Sequence, residues 1–133
     1  MSVDATALIA DLLARGHAVR FRAAGDSMHP IIRGDDYLHV EPAAKLPIRR
    51  GDVVLTLAPR GLTAHRVISV EGETFVTRGD NAPASDGPVE RARVLGVVTH
   101  AERDGRKRRV PRATSLVLML HRFWTAAARP PLW

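Results

Sequence analysis

Apolar residues recur at helical spacing at the start of the chain and alternate with polar residues directly after it. The apolar positions between Leu8 and Leu13 fit one face of a helix, which Ser2 or Asp4 can cap and Gly16 can end. In the next segment, HAVRFRAA (17–24), apolar side chains alternate with arginines. This period of two predicts a half-buried strand that follows the helix.

Further short strands are predicted along the middle of the chain, separated by turns rich in glycine. They are Tyr37–Glu41, Val53–Leu57, Leu62–Val70, the segment TFVTRGD (74–80) and the segment RVLGVVTHAE (93–102). Gly96, inside the last segment, indicates a bulge or a close approach of another backbone. The pattern therefore predicts a small, mainly antiparallel β domain.

The end of the chain has a second helical pattern. Apolar residues recur between about Ala113 and Ala128, beside His121 and Arg122, which predicts an amphipathic helix with a basic edge. We expect one β domain with its N-terminal helix over residues 1–110 and this second helix with its tail over residues 111–133. The helix is expected to pack on the sheet, with contact to a membrane surface or a partner protein as the alternative.

Charge and composition narrow the range of functions. The 133 residues carry a net charge of +6, and much of the excess lies in the segment RDGRKRRVPR (103–112). Such a segment is either a solvated hairpin and linker or a site for an anionic partner. Base-reading motifs are missing, so no nucleic acid partner is expected.

No run approaches the length of about 20 apolar residues that a membrane span needs, and the first residues lack a basic signal-peptide region.

The stretch AAGDSMHPIIRGDD (23–36) is the first candidate for chemistry. A serine in a loop is usually a turn former, but Ser27 has neighbours that favour a nucleophile. Gly25 permits close backbone approach, Met28 can anchor the turn in the core, and Pro30 stiffens its exit. A rigid turn exposes the Ser27 hydroxyl and directs its N–H at a carbonyl oxygen, and Met28 and Pro30 are then candidates for substrate contact.

A serine nucleophile needs a base, and histidine supplies the better candidate. His65 lies inside the apolar strand LTAHRVISV, where a polar ring needs a reason, although backbone bonding or solvent exposure would also explain it. The two lysines, Lys45 and Lys107, lie in polar loop-like surroundings that would not lower their pKa. Two acids at later loop positions, Asp80 and Asp86, are candidates to orient the imidazole, and the sequence does not choose between them.

Metal and cofactor chemistry are not expected. The chain has no cysteine, so thiolate ligands and cysteine nucleophiles are excluded. Its six histidines lack metal-ligand spacing such as H-x-x-x-H, and no phosphate-binding glycine loop is present. The segment GDSMHP is not G-x-S-x-G, which excludes the nucleophile turn of α/β-hydrolases.

Four motifs between about Gly25 and Gly105 resemble those of the serine peptidase superfamily of type I signal peptidases and LexA-type repressors. GDSMHPIIRGDDYLHV resembles the box around the nucleophile, and PIRRGDVVLTL the Gly-Asp-led strand that follows. TAHRVISVEGETFVTRGDN resembles the general-base strand with its Gly-Asp-Asn, and VLGVVTHA the closing strand. The resemblance implies the complex, mainly antiparallel β fold of that superfamily, with an N-terminal and a C-terminal helix.

Two catalytic styles occur in that superfamily, and the chain resembles the second. Bacterial signal peptidases and the repressors use a serine-lysine dyad, whereas archaeal and endoplasmic-reticulum signal peptidases have histidine in place of the lysine. His65 stands at that place. The resemblance implies that Ser27 attacks the scissile carbonyl, that His65 transfers its proton, and that Asp80 or Asp86 orients the imidazole. It also implies that the Ser27 N–H holds the oxyanion, while Gly25 stands where some bacterial relatives have a second serine donor.

The sequence therefore predicts a Ser-His endopeptidase that removes a leader or signal segment from a peptide or protein substrate. The resemblance implies small side chains next to the cut. The alternative is a catalytically silent module on the same fold, which would bind an extended peptide by strand addition. Residues before Gly25 are too few for the repressors' DNA-binding domain, and they lack the anchor of membrane-bound signal peptidases. We expect a cytoplasmic protein, with peripheral membrane contact as an alternative.

Overall fold

The computed structural model describes residues 3–59 and 61–112, which form one α-helix and eight strands. The helix is α1 (Val3–Ala14), and the strands are β1 (Val19–Arg22), β2 (Tyr37–Pro42), β3 (Val53–Ala58), β4 (Gly61–Glu71), β5 (Thr74–Arg78), β6 (Pro88–Glu90), β7 (Val94–Arg103) and β8 (Arg106–Arg109). Two 3-10 turns, Ala43–Lys45 and Arg91–Arg93, precede β3 and β7. The predicted helix 113–128 lies outside the described residues.

All eight strands belong to one antiparallel sheet. Its order is β1-β2-β7-β3-β4-β5-β6, and β8 pairs with β7 beyond the end of β3. Strand β7 lies between β2 and β3, so the last long strand joins the two halves of the chain. The mainly antiparallel β fold with an N-terminal helix is confirmed.

Two apolar cores lie on opposite faces of this curled sheet. The first joins α1 to β2, β3 and β7 and includes Leu38, Val40 and Leu55. The second lies under β3, β4, β5 and β7 and includes Val54 and Phe75. Strand β3 is buried on both faces from Val53 to Thr56, which explains why its first three residues are all apolar. Each such side chain contributes about 1.5–3 kcal/mol by leaving water.

The helix α1 packs on the first core with only part of its apolar residues. Ile9 and Leu13 are buried, whereas Leu8 remains 57% exposed. Gly16 ends the helix with a φ of 89°, and its N–H donates to the Leu13 carbonyl. The predicted helix and its stop are confirmed, and its buried face is narrower than the sequence indicates.

Strand β6 is not among the predicted strands, and β8 enters only as one arm of the solvated hairpin that is one interpretation of residues 103–112. The sequence of β6, PVE, is too short to show a period, and that of β8, RKRR, has no apolar residue. The Asp104-Gly105 pair between β7 and β8 has φ angles of 52° and 75°, which are the left-handed values of a tight hairpin turn. The dipeptide Asp-Gly was therefore the available signal for β8.

The position of Gly96 in β7 confirms a close approach of another backbone. A Cβ there would lie 2.5 Å from both the Glu41 carbonyl oxygen and Val40 Cγ1. Glycine thus allows β7 and β2 to pair at this point.

Within residues 3–59 and 61–112, no helix has the length and apolar character that crossing a membrane requires.

Candidate active site

The loop that carries Ser27 is held at both ends. The Ala23 N–H donates to the Asp36 carbonyl at 2.7 Å, and the Asp35 N–H donates to the Ala23 carbonyl at 2.9 Å. Inside the loop, Met28 is only 4% exposed and belongs to the first core. Ser27 is exposed on this anchored turn.

Asp36 fixes the exit of the loop to β7. Its carboxylate accepts two hydrogen bonds from Arg103, both at 2.8 Å, and one from the Arg33 N–H at 2.9 Å. Burial alone would raise the pKa of Asp36, but these hydrogen bonds and the nearby arginine charges outweigh it, and the pKa lies below its usual range. Asp52 is similarly buried, bonded to the Arg49 N–H and to Arg112. The hydrogen bonds of Asp36 and Asp52 thus hold neighbouring segments of the fold together.

His65 lies within hydrogen-bond distance of the Ser27 side chain. Its Nε2 is 3.0 Å from Ser27 Oγ, although the residues are 38 positions apart. His65 lies on β4, paired with Val54 of β3, and its side chain is 12% exposed. The serine and histidine that the sequence singled out are thus in contact.

Asp86 lies on the other side of the His65 ring. His65 Nδ1 is 2.5 Å from Asp86 Oδ2, which also accepts a hydrogen bond from Thr77 Oγ1 at 2.8 Å. The Asp86 N–H donates to the Thr77 carbonyl, also at 2.8 Å, so two bonds to β5 fix the acid. An ionised carboxylate only accepts, so Nδ1 carries the imidazole proton and Nε2 is left to accept from the Ser27 hydroxyl.

Asp80 does not contact His65. It is buried and forms a two-point ion pair with Arg66, with Nε to Oδ1 at 2.9 Å and Nη2 to Oδ2 at 2.8 Å. Arg66 Nη1 also donates to the carbonyls of Gly51 and Pro111. Strand alternation turns His65 and Arg66 to opposite faces of β4, so the two candidate acids meet different residues.

Arg66→Met is expected to lower the free energy of unfolding by about 3–5 kcal/mol, because it leaves the Asp80 carboxylate buried without a partner. Chemical denaturation of the two proteins would measure this loss. Arg15→Met is the matched control, since Arg15 forms an exposed pair with Asp11 and should lose less than about 1 kcal/mol. Equal losses in both variants would contradict the assignment of Asp80 to the core.

The turn after β5 packs directly against the Ser27 loop. The Asn81 N–H donates to the Ser27 carbonyl at 2.9 Å, and the Asp80 N–H lies 3.3 Å from Met28 Sδ. A Cβ at Gly79 would lie 2.6 Å from the Ser27 carbonyl oxygen and 3.1 Å from His65 Nε2. Only glycine therefore lets this turn approach both residues.

The other predicted site residues have distinct positions. Gly25 has a φ of 81°, so it supplies the left-handed conformation at the loop entrance. The expected role of Gly25 in a close backbone approach is wrong, because a Cβ there would have no atom within 4 Å, whereas one at Gly34 would lie 3.1 Å from the Gly25 carbonyl oxygen. Among the hydrogen bonds of the described residues, none uses the Ser27 N–H. Met28 lines the cleft beside Ser27, whereas Pro30 is not among the lining residues.

An apolar cleft of about 280 Å³ opens beside Ser27 and His65. One wall is the chain from Phe21 to Gly25, and the other is the start of β4, from Leu62 to His65. Leu38 and Leu55 of the first core line it as well. The cleft can accept an apolar side chain next to the serine.

The site offers no group of metal ligands. In the part of the chain that the structure describes, no cluster of three or more His, Asp or Glu side chains is arranged to hold a metal ion. His39 and His100 lie on β2 and β7, away from Ser27. The chemistry available at the site is that of a hydroxyl, an imidazole and a carboxylate.

Sequence reasoning missed three residues that support the site. Thr77 bonds Asp86, Gly79 allows the close packing at Ser27, and Arg66 binds Asp80. The segment TFVTRGD carried a usable signal, because a polar Thr77 at a buried position of an alternating strand needs a hydrogen-bond partner. Arg66 carried no such signal, because arginines are mostly exposed and nothing in the neighbouring sequence marks this one as buried.

Comparison with known proteins agrees with this architecture. A family model described as Peptidase S24-like matches residues 2–99, which include every strand from β1 to β6 and most of β7. No curated protein matches the chain. Because the family match covers well over half of the sequence, the chain belongs to the Peptidase S24-like family, within the superfamily of LexA-type repressors and signal peptidases.

Proposed function

We propose that the protein is a serine endopeptidase that uses Ser27, His65 and Asp86 to cleave a leader or signal segment from a peptide substrate. The observation that carries the proposal is the continuous series of contacts from Ser27 Oγ to His65 Nε2 and from His65 Nδ1 to Asp86. Such a series of contacts, in a chain that belongs to a peptidase family, supports acyl transfer to the serine hydroxyl. Asp80 is assigned to the structure rather than to catalysis.

Acylation begins at the Ser27 hydroxyl. Its Oγ attacks the carbonyl carbon of the scissile bond, and its proton passes to His65 Nε2 as the new C–O bond forms. Asp86 stabilises the resulting imidazolium, since its carboxylate is bonded to Nδ1. The tetrahedral intermediate then collapses, the C–N bond breaks, and His65 returns the proton to the leaving amine.

Deacylation repeats these steps with water. His65 takes a proton from a water molecule, which attacks the acyl carbon, and the ester bond to Ser27 Oγ breaks as the proton returns to that oxygen. In both halves the negative carbonyl oxygen needs a donor. The Ser27 N–H, which no described hydrogen bond uses, fits that role.

A substrate can bind as an added strand along the first part of β4. Residues 61–65 pair with β3 on one side, whereas β5 pairs with β4 only from Arg66 onward. Among the described strands, the other edge of residues 61–65 is unpaired, and it borders the cleft. An extended peptide there would bring a carbonyl to Ser27 and one apolar side chain into the cleft.

Strand addition requires an extended peptide, and the cleavable part of a leader or signal segment can adopt that conformation. The alanines at positions 23, 24 and 64 line the cleft together with larger apolar residues. We propose that a small apolar residue precedes the scissile bond.

Two measurements test the proposed function. Peptides that differ only in the residue before the scissile bond are incubated with the protein, and mass spectrometry identifies the products, with the fastest cleavage expected after alanine. A fluorophosphonate is expected to label the protein at Ser27: the Oγ–P bond forms, the P–F bond breaks with loss of fluoride, and the hydroxyl proton passes to His65. Absence of both cleavage and labelling would refute the peptidase proposal.

The unpaired edge of β4 also supports a second candidate, a peptide-binding module without catalysis. In that case, the same peptides would bind with measurable affinity, no product would form, and the fluorophosphonate would leave Ser27 unmodified. The intact contacts among Ser27, His65 and Asp86 favour the peptidase.

A further inference from the structure

A positively charged surface lies on the sheet away from the candidate active site. The strand registers place eight side chains in two rows across β1, β2, β7 and β8. The first row is Arg20, His39, His100 and Arg109, and the second is Arg22, Tyr37, Glu102 and Lys107. We name these eight residues the cationic face. With strands about 4.8 Å apart, each row extends about 14 Å across the sheet.

The cationic face points outward. On β2, Leu38 and Val40 enter the first core, so the alternating residues Tyr37 and His39 lie on the opposite side of the sheet. The cleft at Ser27 is lined by Leu38 and therefore opens on the core side. A partner on the cationic face would leave the cleft free.

Positive charge on this face exceeds the nearby negative charge. On the face, four arginine and lysine side chains stand against two carboxylates, Glu102 and the neighbouring Glu41. At the rim beyond Tyr37 and Glu102, the cations Arg33 and Arg103 stand against Asp35, Asp36 and Asp104. Glu102 accepts from Arg20 at 2.6 Å and contacts His39 at 3.2 Å. Among the described residues, no carboxylate forms an ion pair with the remaining three cations, which are Arg22, Lys107 and Arg109.

The pKa of His100, one of the two histidines in the first row, lies below its ordinary value. Burial lowers the pKa of His100, and the charges of Lys107, Arg109 and His39 act in the same direction. Like charges on neighbouring strands oppose one another and reduce the stability of the sheet. An anionic partner would remove that repulsion.

The chain after Arg112 does not provide the missing negative charge. Residues 113–133 contain no aspartate and no glutamate, but they include His121, Arg122 and the apolar run SLVLML (115–120). Phe123 and Trp124 follow that run. Charge complementarity therefore argues against this segment as the occupant of the cationic face.

Other features of the face distinguish between classes of anionic partner. The Arg20 guanidinium covers the Tyr37 ring at 3.9 Å, and the His39 and His100 rings meet edge to face with centroids 6.3 Å apart, so stacking of nucleic acid bases on these rings is disfavoured. Strands β2 and β7 are paired on both sides, which prevents addition of a peptide strand within the face. Exposed cations spread over two rows, each about 14 Å long, match an extended anionic surface.

We propose that the cationic face binds the surface of a membrane that contains anionic phospholipids. Lys107, Arg109 and Arg22 contact lipid phosphates, and the attraction of these cations to an anionic surface holds the face against it. The inference does not depend on peptidase activity, because it concerns the opposite side of the sheet.

Co-sedimentation of the full chain with vesicles tests this inference. The protein is expected to bind phosphatidylcholine vesicles that contain about 30% phosphatidylserine and to dissociate at about 1 M salt. Lys107→Gln with Arg109→Gln should lower the partition coefficient about 25-fold, at about fivefold for each cation. Arg91→Gln with Arg93→Gln removes the same charge at the other end of β7 and should change it less than twofold.

Three results would overturn the inference: no binding to the anionic vesicles, equal binding to pure phosphatidylcholine, or equal losses in the two double variants. Binding of polyglutamate or an oligonucleotide in place of vesicles would assign the face to another partner and would also overturn it. Circular dichroism checks that the variants are folded. If the β8 variant is not, Arg22→Gln with Arg20→Gln tests the same rows from β1.

Discussion

Replacing Ser27 with alanine is expected to lower kcat for peptide hydrolysis by at least about 10⁴-fold, with KM and the free energy of unfolding nearly unchanged. Ser27 is exposed, and its hydroxyl contacts only His65 Nε2 among the described residues. Its removal therefore costs the nucleophile and little packing. Steady-state kinetics with the cleaved peptide, together with chemical denaturation, would measure both quantities.

The control for this variant is Ser69→Ala, on the same strand as His65 but beyond the segment that borders the cleft. We expect it to keep the parent rate within about twofold, since it lacks contact with the site. Retention of more than about a tenth of the parent kcat by Ser27→Ala would contradict the proposed nucleophile. Labelling of Ser27→Ala by the fluorophosphonate would contradict it independently.

Asp86→Asn is expected to lower kcat by about 10²–10⁴-fold with little change in KM. An amide in this place lacks the negative charge that stabilises the imidazolium. If its NH₂ group faces the ring, it donates to His65 Nδ1 and moves the imidazole proton to Nε2, which then cannot accept from Ser27. The Thr77 hydroxyl, bonded to the same carboxylate oxygen, restrains the side chain in either orientation.

Two other aspartates give the comparison. Asp26 is exposed beside Ser27, and only its backbone carbonyl takes part in the described hydrogen bonds. Asp26→Asn should therefore leave kcat within about twofold of the parent value. Asp80→Asn should mainly lower the free energy of unfolding, because Arg66 loses its buried partner. A normal kcat in Asp86→Asn, with a large loss of kcat in folded Asp80→Asn, would move the orienting role to Asp80.

The elements with a clear period were predictable from the sequence, whereas the pairing of short segments was not. Strand β3 begins with three apolar residues in succession, which predicts burial on both faces, and β2 alternates, which predicts burial on one face. Strand β6 has three residues and no such pattern, yet its pairing with β5 turns the loop after Gly79 back on itself. That return brings Asp86 to Thr77 and thereby to His65.

The sequence by itself determined the kind of fold and two members of the site. Alternation of apolar and polar residues indicated the antiparallel β architecture. Ser27 was a candidate because its neighbours favour a rigid turn, and His65 because it is a polar ring inside an apolar strand. It also determined the excess of positive charge after Arg103. These are local properties of the chain, carried by residue type and short spacing.

The tertiary structure decided which acid meets His65 and where the positive charge lies. Asp80 and Asp86 both follow β5 in a polar loop, and nothing local separates them. Their environments differ because alternation along β4 sends Arg66 to one face and His65 to the other, and because β6 returns the loop to β5. Likewise, Lys107 and Arg109 join Arg20 in one surface only because β7 pairs with both β2 and β8. Contacts between distant segments depend on strand pairing, which no short stretch of sequence specifies.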